Sequence, residues 1–173
     1  MAKTSDALKV SIDFERRGVG LYLQLAGKTK NPLSRRLYYN LAQQEIQHVL
    51  KFEDIYEDLK QHNNWPRWTV EEGEKLEFVI KEFFHSVKKD NLIKLADNVK
   101  GLELAMDIEK KGYAMYQGFL NKAKDANEKL FYRELLKQEN SHYEALANVH
   151  LYLTQTSDWF SEEESKVWNW MNL

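Results

Sequence analysis

The sequence predicts an all-α protein, a four-helix bundle assembled from two repeated helix pairs. Apolar residues recur at alternating steps of three and four through four long segments, the spacing that gathers them on one helix face. Two prolines and seven glycines leave few breakers among 173 residues, and the long segments are rich in Leu, Ala, Glu, Lys and Gln, which favour helix. The third observation is an internal repeat: a shift of 94 positions lays residues 9 to about 52 on a second copy without a gap. A chain of this length supports one well-buried core and is short for two, so residues 1–173 are expected to form a single domain of two similar halves.

Thr4, Ser5 and Asp6 are good N-cap residues, and after them Leu8, Ile12, Glu15, Val19, Tyr22 and Ala26 form the inward stripe of helix A. Gly27 to Pro32 breaks the pattern. Helix B follows with Leu33, Leu37, Leu41, Glu45, His48, Phe52, Ile55 and Leu59, so the first pair covers residues of about 5–62. Asn63-Asn64-Trp65-Pro66 ends it. A shorter amphipathic segment with Leu76, Val79, Phe83 and Val87 then belongs to a crossover over about 63–91. A connection of roughly 30 residues, partly helical at about 1.5 Å per residue, is long enough to travel the length of a bundle, which lets helices B and C run parallel.

Helix C carries Leu95, Val99, Leu102, Met106, Glu109, Tyr113, Tyr116 and Leu120; after Asn121 to Asn127, helix D carries Phe131, Leu135, Glu139, His142, Leu146 and Val149. This second pair covers about 92–154. In the tail, about 155–173, Ser161 and Glu164 have capping-box spacing for a short C-terminal helix. Its cluster of Trp159, Phe160, Val167, Trp168, Trp170 and Met171 packs on the bundle end or forms a dimer contact, and a homodimer is expected.

Composition excludes several classes of function. A net charge of -2 with no basic stripe gives no footprint for nucleic acid. The absence of cysteine removes thiol catalysis, disulfides and thiolate-bound zinc or iron. The N-terminus has no apolar signal core and no run approaches the roughly 18 apolar residues that span a bilayer, so no membrane contact and a cytoplasmic location are expected.

Two motifs interrupt the apolar stripes. Gln44-Glu45-Ile46-Gln47-His48 recurs as Gln138-Glu139-Asn140-Ser141-His142, and Glu15 recurs as Glu109, so each half supplies a Glu and then Glu-x-x-His. Glu15 and Glu45 are equally far from position 30 in the A–B turn, as Glu109 and Glu139 are from position 124 in the C–D turn. Antiparallel helices that rise equally per residue therefore bring all four carboxylates and both histidines to one level. A lone Glu-x-x-His is ordinarily a surface pair of an amphipathic helix; two copies in phase with the apolar stripes, each with a partner glutamate, are not. An isolated buried carboxylate costs several kcal/mol, and four together repel. Two divalent cations neutralise four carboxylates and the imidazoles add nitrogen ligands, so Glu15, Glu45, His48, Glu109, Glu139 and His142 are read as a dinuclear metal site. His62, His85 and His150 lack such partners and are read as structural.

At these residues the chain resembles the ferritin-like superfamily of di-iron carboxylate proteins, and most of all the four-helix domain of the rubrerythrin family. The resemblance implies two iron ions, although manganese or zinc also suits such ligands. It implies that Glu15 and His48 serve one iron, Glu109 and His142 the other, and that Glu45 and Glu139 bridge them. Tyr22 and Tyr116 look like the family's tyrosines that back the ligands. The activity implied is that of a non-haem di-iron oxidoreductase using hydrogen peroxide or dioxygen and an external electron donor. The alternative is a ferroxidase or an iron storage or handling protein. This chain departs from the family in having no cysteine-bound rubredoxin segment, and in having Gly112 one turn after Glu109 where the family carries a further glutamate. Gly18 and Gly112 are repeat equivalents within helices, where glycine costs about 1 kcal/mol against alanine. They serve either close helix approach or open space for an oxidant, and open space is the expectation for Gly112.

Overall fold

Polar caps at two tight turns fold each half of the chain into a helix pair. The computed structural model describes residues 2–67 and 99–154. These form α1 (Ala2–Lys28), α2 (Pro32–His62), α3 (Val99–Lys122) and α4 (Ala126–Thr154). Helix α1 begins ahead of the position near 5 expected from its cap residues, and α4 is described as far as Thr154. Most of the crossover, His85, the stretch from 92 to 98 and the tail with its capping box and aromatic cluster lie outside the described residues.

In the first turn the buried Asn31 accepts bonds from the Leu33 and Ser34 amides at 2.9 and 3.1 Å. Pro32 follows at the first helical position, where a missing N–H leaves nothing unpaired. Asp125 plays the same part for α4, accepting from the Asn127 and Glu128 amides at 2.7 and 3.1 Å. Helix α2 stops at Asn63, whose left-handed φ of 59° turns its N–H onto the Leu59 carbonyl.

The two pairs face each other through crosswise contacts. Tyr22 bonds Glu109 while Tyr116 bonds Glu15, so α1 and α3 are antiparallel. His48 meets Gln138 while His142 meets Gln44, so α2 and α4 are antiparallel as well. Helices α2 and α3 therefore run parallel, in an all-α ferritin-like bundle. From the level of the shared glutamates, α2 continues 17 residues to His62, and α3 begins ten residues before Glu109. The chain between them must cover about 40 Å at 1.5 Å per residue, the task expected of a crossover.

Apolar burial divides into two clusters on either side of the acidic layer. One contains Tyr22, Leu37, Tyr38, Leu41, Leu102 and Leu146, and the other Leu8, Phe52, Tyr116, Phe131, Tyr132 and Leu135. Each fully buried side chain of this size contributes about 1.5–3 kcal/mol, enough together to hold a costly polar layer between them. The inward stripe of α3 differs from expectation at Tyr113, which is 41 % exposed. The inward register steps from Glu109 to Gly112 and then Tyr116, all buried, and turns Tyr113 outward. No described helix is long and apolar enough to cross a membrane.

Candidate metal centre

Each of the four helices brings one glutamate to the middle of the bundle, and α2 and α4 each add a histidine one turn further on. Glu15, Glu45, His48, Glu109, Glu139 and His142 are all 3 % exposed or less. The structure thus brings together all six residues singled out in the sequence. Their atoms form two overlapping quartets, Glu15 with Glu45, His48 and Glu139, and Glu109 with Glu45, His142 and Glu139. Within each quartet the donor atoms lie within 4.8 Å of one another. Ligands on opposite sides of an ion with bonds of about 2.1 Å stand about 4.2 Å apart, so closure onto an ion needs shifts of only a few tenths of an ångström.

The imidazoles point into these quartets through Nδ1. His48 Nδ1 is 2.9 Å from Glu45 Oε2, 3.5 Å from Glu139 Oε1 and 3.6 Å from Glu15 Oε2. His142 Nδ1 is 3.0 Å from Glu45 Oε1 and 3.5 Å from Glu109 Oε2. The two rings stack with centroids 5.6 Å apart. No hydrogen bond reaches Glu139 Oε1 or His142 Nδ1, although both atoms are buried. A buried acceptor without a donor is costly, and a cation between the quartets would satisfy both atoms. Oxygen and nitrogen donors in this proportion suit iron, manganese or zinc, so the residues fit a pair of such ions.

Electrostatics point the same way. Burial, with the Glu45 charge adding to it, pushes the Glu15 carboxyl up to about 8. Burial and the charges of Glu15, Glu45 and Glu109 raise Glu139 well above the usual carboxylate range. Burial would raise Glu45 too, but His142, a hydrogen bond from Glu15 and His48 outweigh it and hold Glu45 well below that range. For His48 burial favours the neutral ring, yet Glu45 and Glu15 overcome it and lift the group to about 10. Without a metal the layer therefore holds protons in place of cations.

Around the six lie groups that orient them. Tyr22 donates to Glu109 and Tyr116 to Glu15, so each tyrosine serves the glutamate of the opposite half. His48 Nε2 lies 2.7 Å from Gln138 Oε1, and His142 Nε2 lies 2.9 Å from Gln44 Oε1. Reading the sequence missed the part of these glutamines; the signal was their repetition immediately before each Glu-x-x-His. His62 lies away from the site, 68 % exposed and 3.9 Å from Asp58, and His150 faces Glu103 at 3.5 Å. A cavity of about 10 Å³, room for a single water, reaches the site between His48, Lys51, Phe131, Leu135 and Gln138.

The expectation of open space at Gly112 is wrong. A Cβ there would lie 2.9 Å from Phe14 Cε1 and 3.0 Å from Glu139 Oε2, so the glycine permits close approach of α1 and α4. At Gly18 the nearest atom is Glu45 Cγ at 3.6 Å, an ordinary contact.

Comparison with known families adds one match: the family model described as Rubrerythrin covers residues 6–150. No curated protein and no solved structure matches the chain.

Proposed function

This chain belongs to the rubrerythrin family, and from that premise we propose that it is a non-haem di-iron oxidoreductase that reduces hydrogen peroxide or dioxygen with electrons from an external donor. The observation that carries this reading is the pair of buried quartets sharing Glu45 and Glu139. In this reading Glu15 and His48 would hold one iron, Glu109 and His142 the other, and Glu45 and Glu139, common to both quartets, would serve both. When bound, an iron pair would supply, one from each ion, the two electrons that with two protons convert peroxide to two waters.

The residues of the chain set the conditions for that chemistry. Four carboxylates balance two divalent ions, which keeps a buried site electrically neutral. Tyr22 and Tyr116 hold Glu109 and Glu15 by hydrogen bonds and place hydroxyl protons next to the reacting volume. Packing of Phe14 and Glu139 across Gly112 leaves little room on that side, so a small oxidant is the class that fits. These residues include no cysteine for an iron–sulfur or rubredoxin-type centre, which supports an electron donor outside the bundle.

A ferroxidase or iron-handling role is the second reading, favoured by Gly112 standing where the family carries a further glutamate. Elemental analysis, an optical spectrum and stopped-flow oxidation of the ferrous protein test both. Two irons per chain, an oxo-bridged diferric band in the near ultraviolet, and repeated peroxide turnover with an added donor are expected. A single oxidation followed by departure of iron, or a large hollow assembly on size exclusion, would support the second reading.

A further inference from the structure

We propose that Gln44 and Gln138 are positioning residues that work across the bundle, each taking the Nε2 proton of the other half's histidine in a hydrogen bond and so presenting that ring's Nδ1 lone pair to a metal. This rests on the dinuclear reading of the site. Gln138 Oε1 lies 2.7 Å from His48 Nε2, and Gln44 Oε1 lies 2.9 Å from His142 Nε2. The same contact is made twice, by pairs related through the 94-residue repeat.

A neutral imidazole has one N–H and one lone pair, and an amide oxygen only accepts. Facing that oxygen, Nε2 keeps the proton and Nδ1 is left with the lone pair a metal requires. Both rings are buried, at 3 % and 0 % exposure, so bulk water does not take the place of the amide. Reversal of either ring would turn the N–H toward the carboxylates and leave the glutamine oxygen without its donor. The choice of an amide also has a charge consequence. A carboxylate at the same place would add negative charge to a layer in which four carboxylates already balance two divalent ions.

The geometry is crosswise: α4, which supplies Glu139 and His142, orients His48 through Gln138, and α2 orients His142 through Gln44. A residue that merely packs its own helix would disturb the ligand on that helix. Gln138→Leu is instead expected to act on His48.

The test uses the full chain with ¹⁵N-labelled histidine and zinc as the diamagnetic probe. Wild type is expected to take two zinc ions, with both histidines showing zinc on Nδ1 and a proton on Nε2. Gln138→Leu is expected to lower zinc affinity at the His48 half-site by about 10–100-fold and to disturb the His48 signals while His142 keeps its pattern. Gln44→Leu should do the reverse, and Gln138→Glu, which retains an acceptor oxygen at the same reach, should restore the Nε2 proton on His48. Gln138→Met, of matching length, carries the same expectation should the leucine variants not fold. Unchanged affinity and His48 signals in Gln138→Leu, or damage at His142 on its own helix, would overturn the proposal. No zinc binding by wild type would overturn the dinuclear reading itself, and this inference with it.

Discussion

Tyr22 on α1 donates its hydroxyl to Glu109 on α3, and Tyr116 on α3 returns the same bond to Glu15 on α1. A hydrogen bond typically contributes about 0.5–1.5 kcal/mol, and here it links the two halves at the level of the site. Tyr22→Phe removes the hydroxyl but keeps the ring, which stacks on Tyr38 at 6.3 Å within an apolar cluster. The variant is expected to stay folded with a lowered Tm and to lose metal first from the half-site of Glu109 and His142. Metal content after dialysis checks this, and loss from the Glu15 half-site first would contradict it.

Replacing Glu139 separates stability from function. Its carboxyl is 1 % exposed, and burial beside three other carboxylates forces it to hold a proton it would lose in the unfolded chain, a cost that disappears when the group goes. Glu139→Leu should make the metal-free protein more stable, by roughly 1–4 kcal/mol on the precedent of apolar replacements for buried charges. The same change should remove a ligand common to both quartets, and Glu45→Ala with Glu139→Ala should abolish retention of both ions. Chemical denaturation of the metal-free variant and elemental analysis decide it; tight binding of two ions by the double variant would defeat the site assignment.

Metal uptake should release protons. In the metal-free protein Glu15 titrates at about 8 and His48 at about 10, so both hold protons at pH 7. A cation requires both groups deprotonated, and its affinity therefore rises with pH below these values, by about tenfold per pH unit for each proton displaced. For Glu15 the stability linkage has the matching sign. A carboxyl raised in the folded state stabilises the metal-free protein below its unfolded value near 4.5, and that contribution is lost as pH rises through about 8. Zinc titration in weakly buffered solution should show acid release, and an affinity independent of pH from 6 to 8 would be the contrary result.

The repeat explains why so much of this site was legible in the sequence. Glu15, Glu45, His48, Glu109, Glu139 and His142 announced themselves by sitting in phase with apolar stripes, and equal rise per residue placed them level. Partners between helices had no such signal. Tyr22 lies on the same face as Glu15, yet its hydroxyl reaches across to Glu109 on the antiparallel α3, a partner that only the packing of the two pairs brings within range. Gln44 and Gln138 look like solvent-side positions until the opposite histidine is seen beside them. Tyr113 misled because an alternation of threes and fours permits either residue 112 or 113 after Glu109, and only packing chooses between them.

That choice of Gly112 yields a contrast with its repeat equivalent. Alanine is favoured over glycine by about 1 kcal/mol inside a helix, and at Gly18 nothing opposes this, since the added Cβ meets Glu45 Cγ at an ordinary 3.6 Å. Gly18→Ala should therefore raise stability by up to about 1 kcal/mol and leave metal content unchanged. At Gly112 the Cβ would come within 2.9 Å of Phe14 Cε1 and 3.0 Å of Glu139 Oε2, and both must move. Phe14 packs edge-on against Tyr116, the donor to Glu15, and Glu139 belongs to both quartets, so neither moves without disturbing the site. Overpacking of this kind typically costs about 1–3 kcal/mol, more than the propensity gain returns. Gly112→Ala should accordingly lower stability and weaken retention of both ions. Thermal melts of the two metal-free variants, with metal content measured on each, make the comparison; a Gly112→Ala protein as stable and as metal-replete as Gly18→Ala would show that Phe14 and Glu139 yield freely.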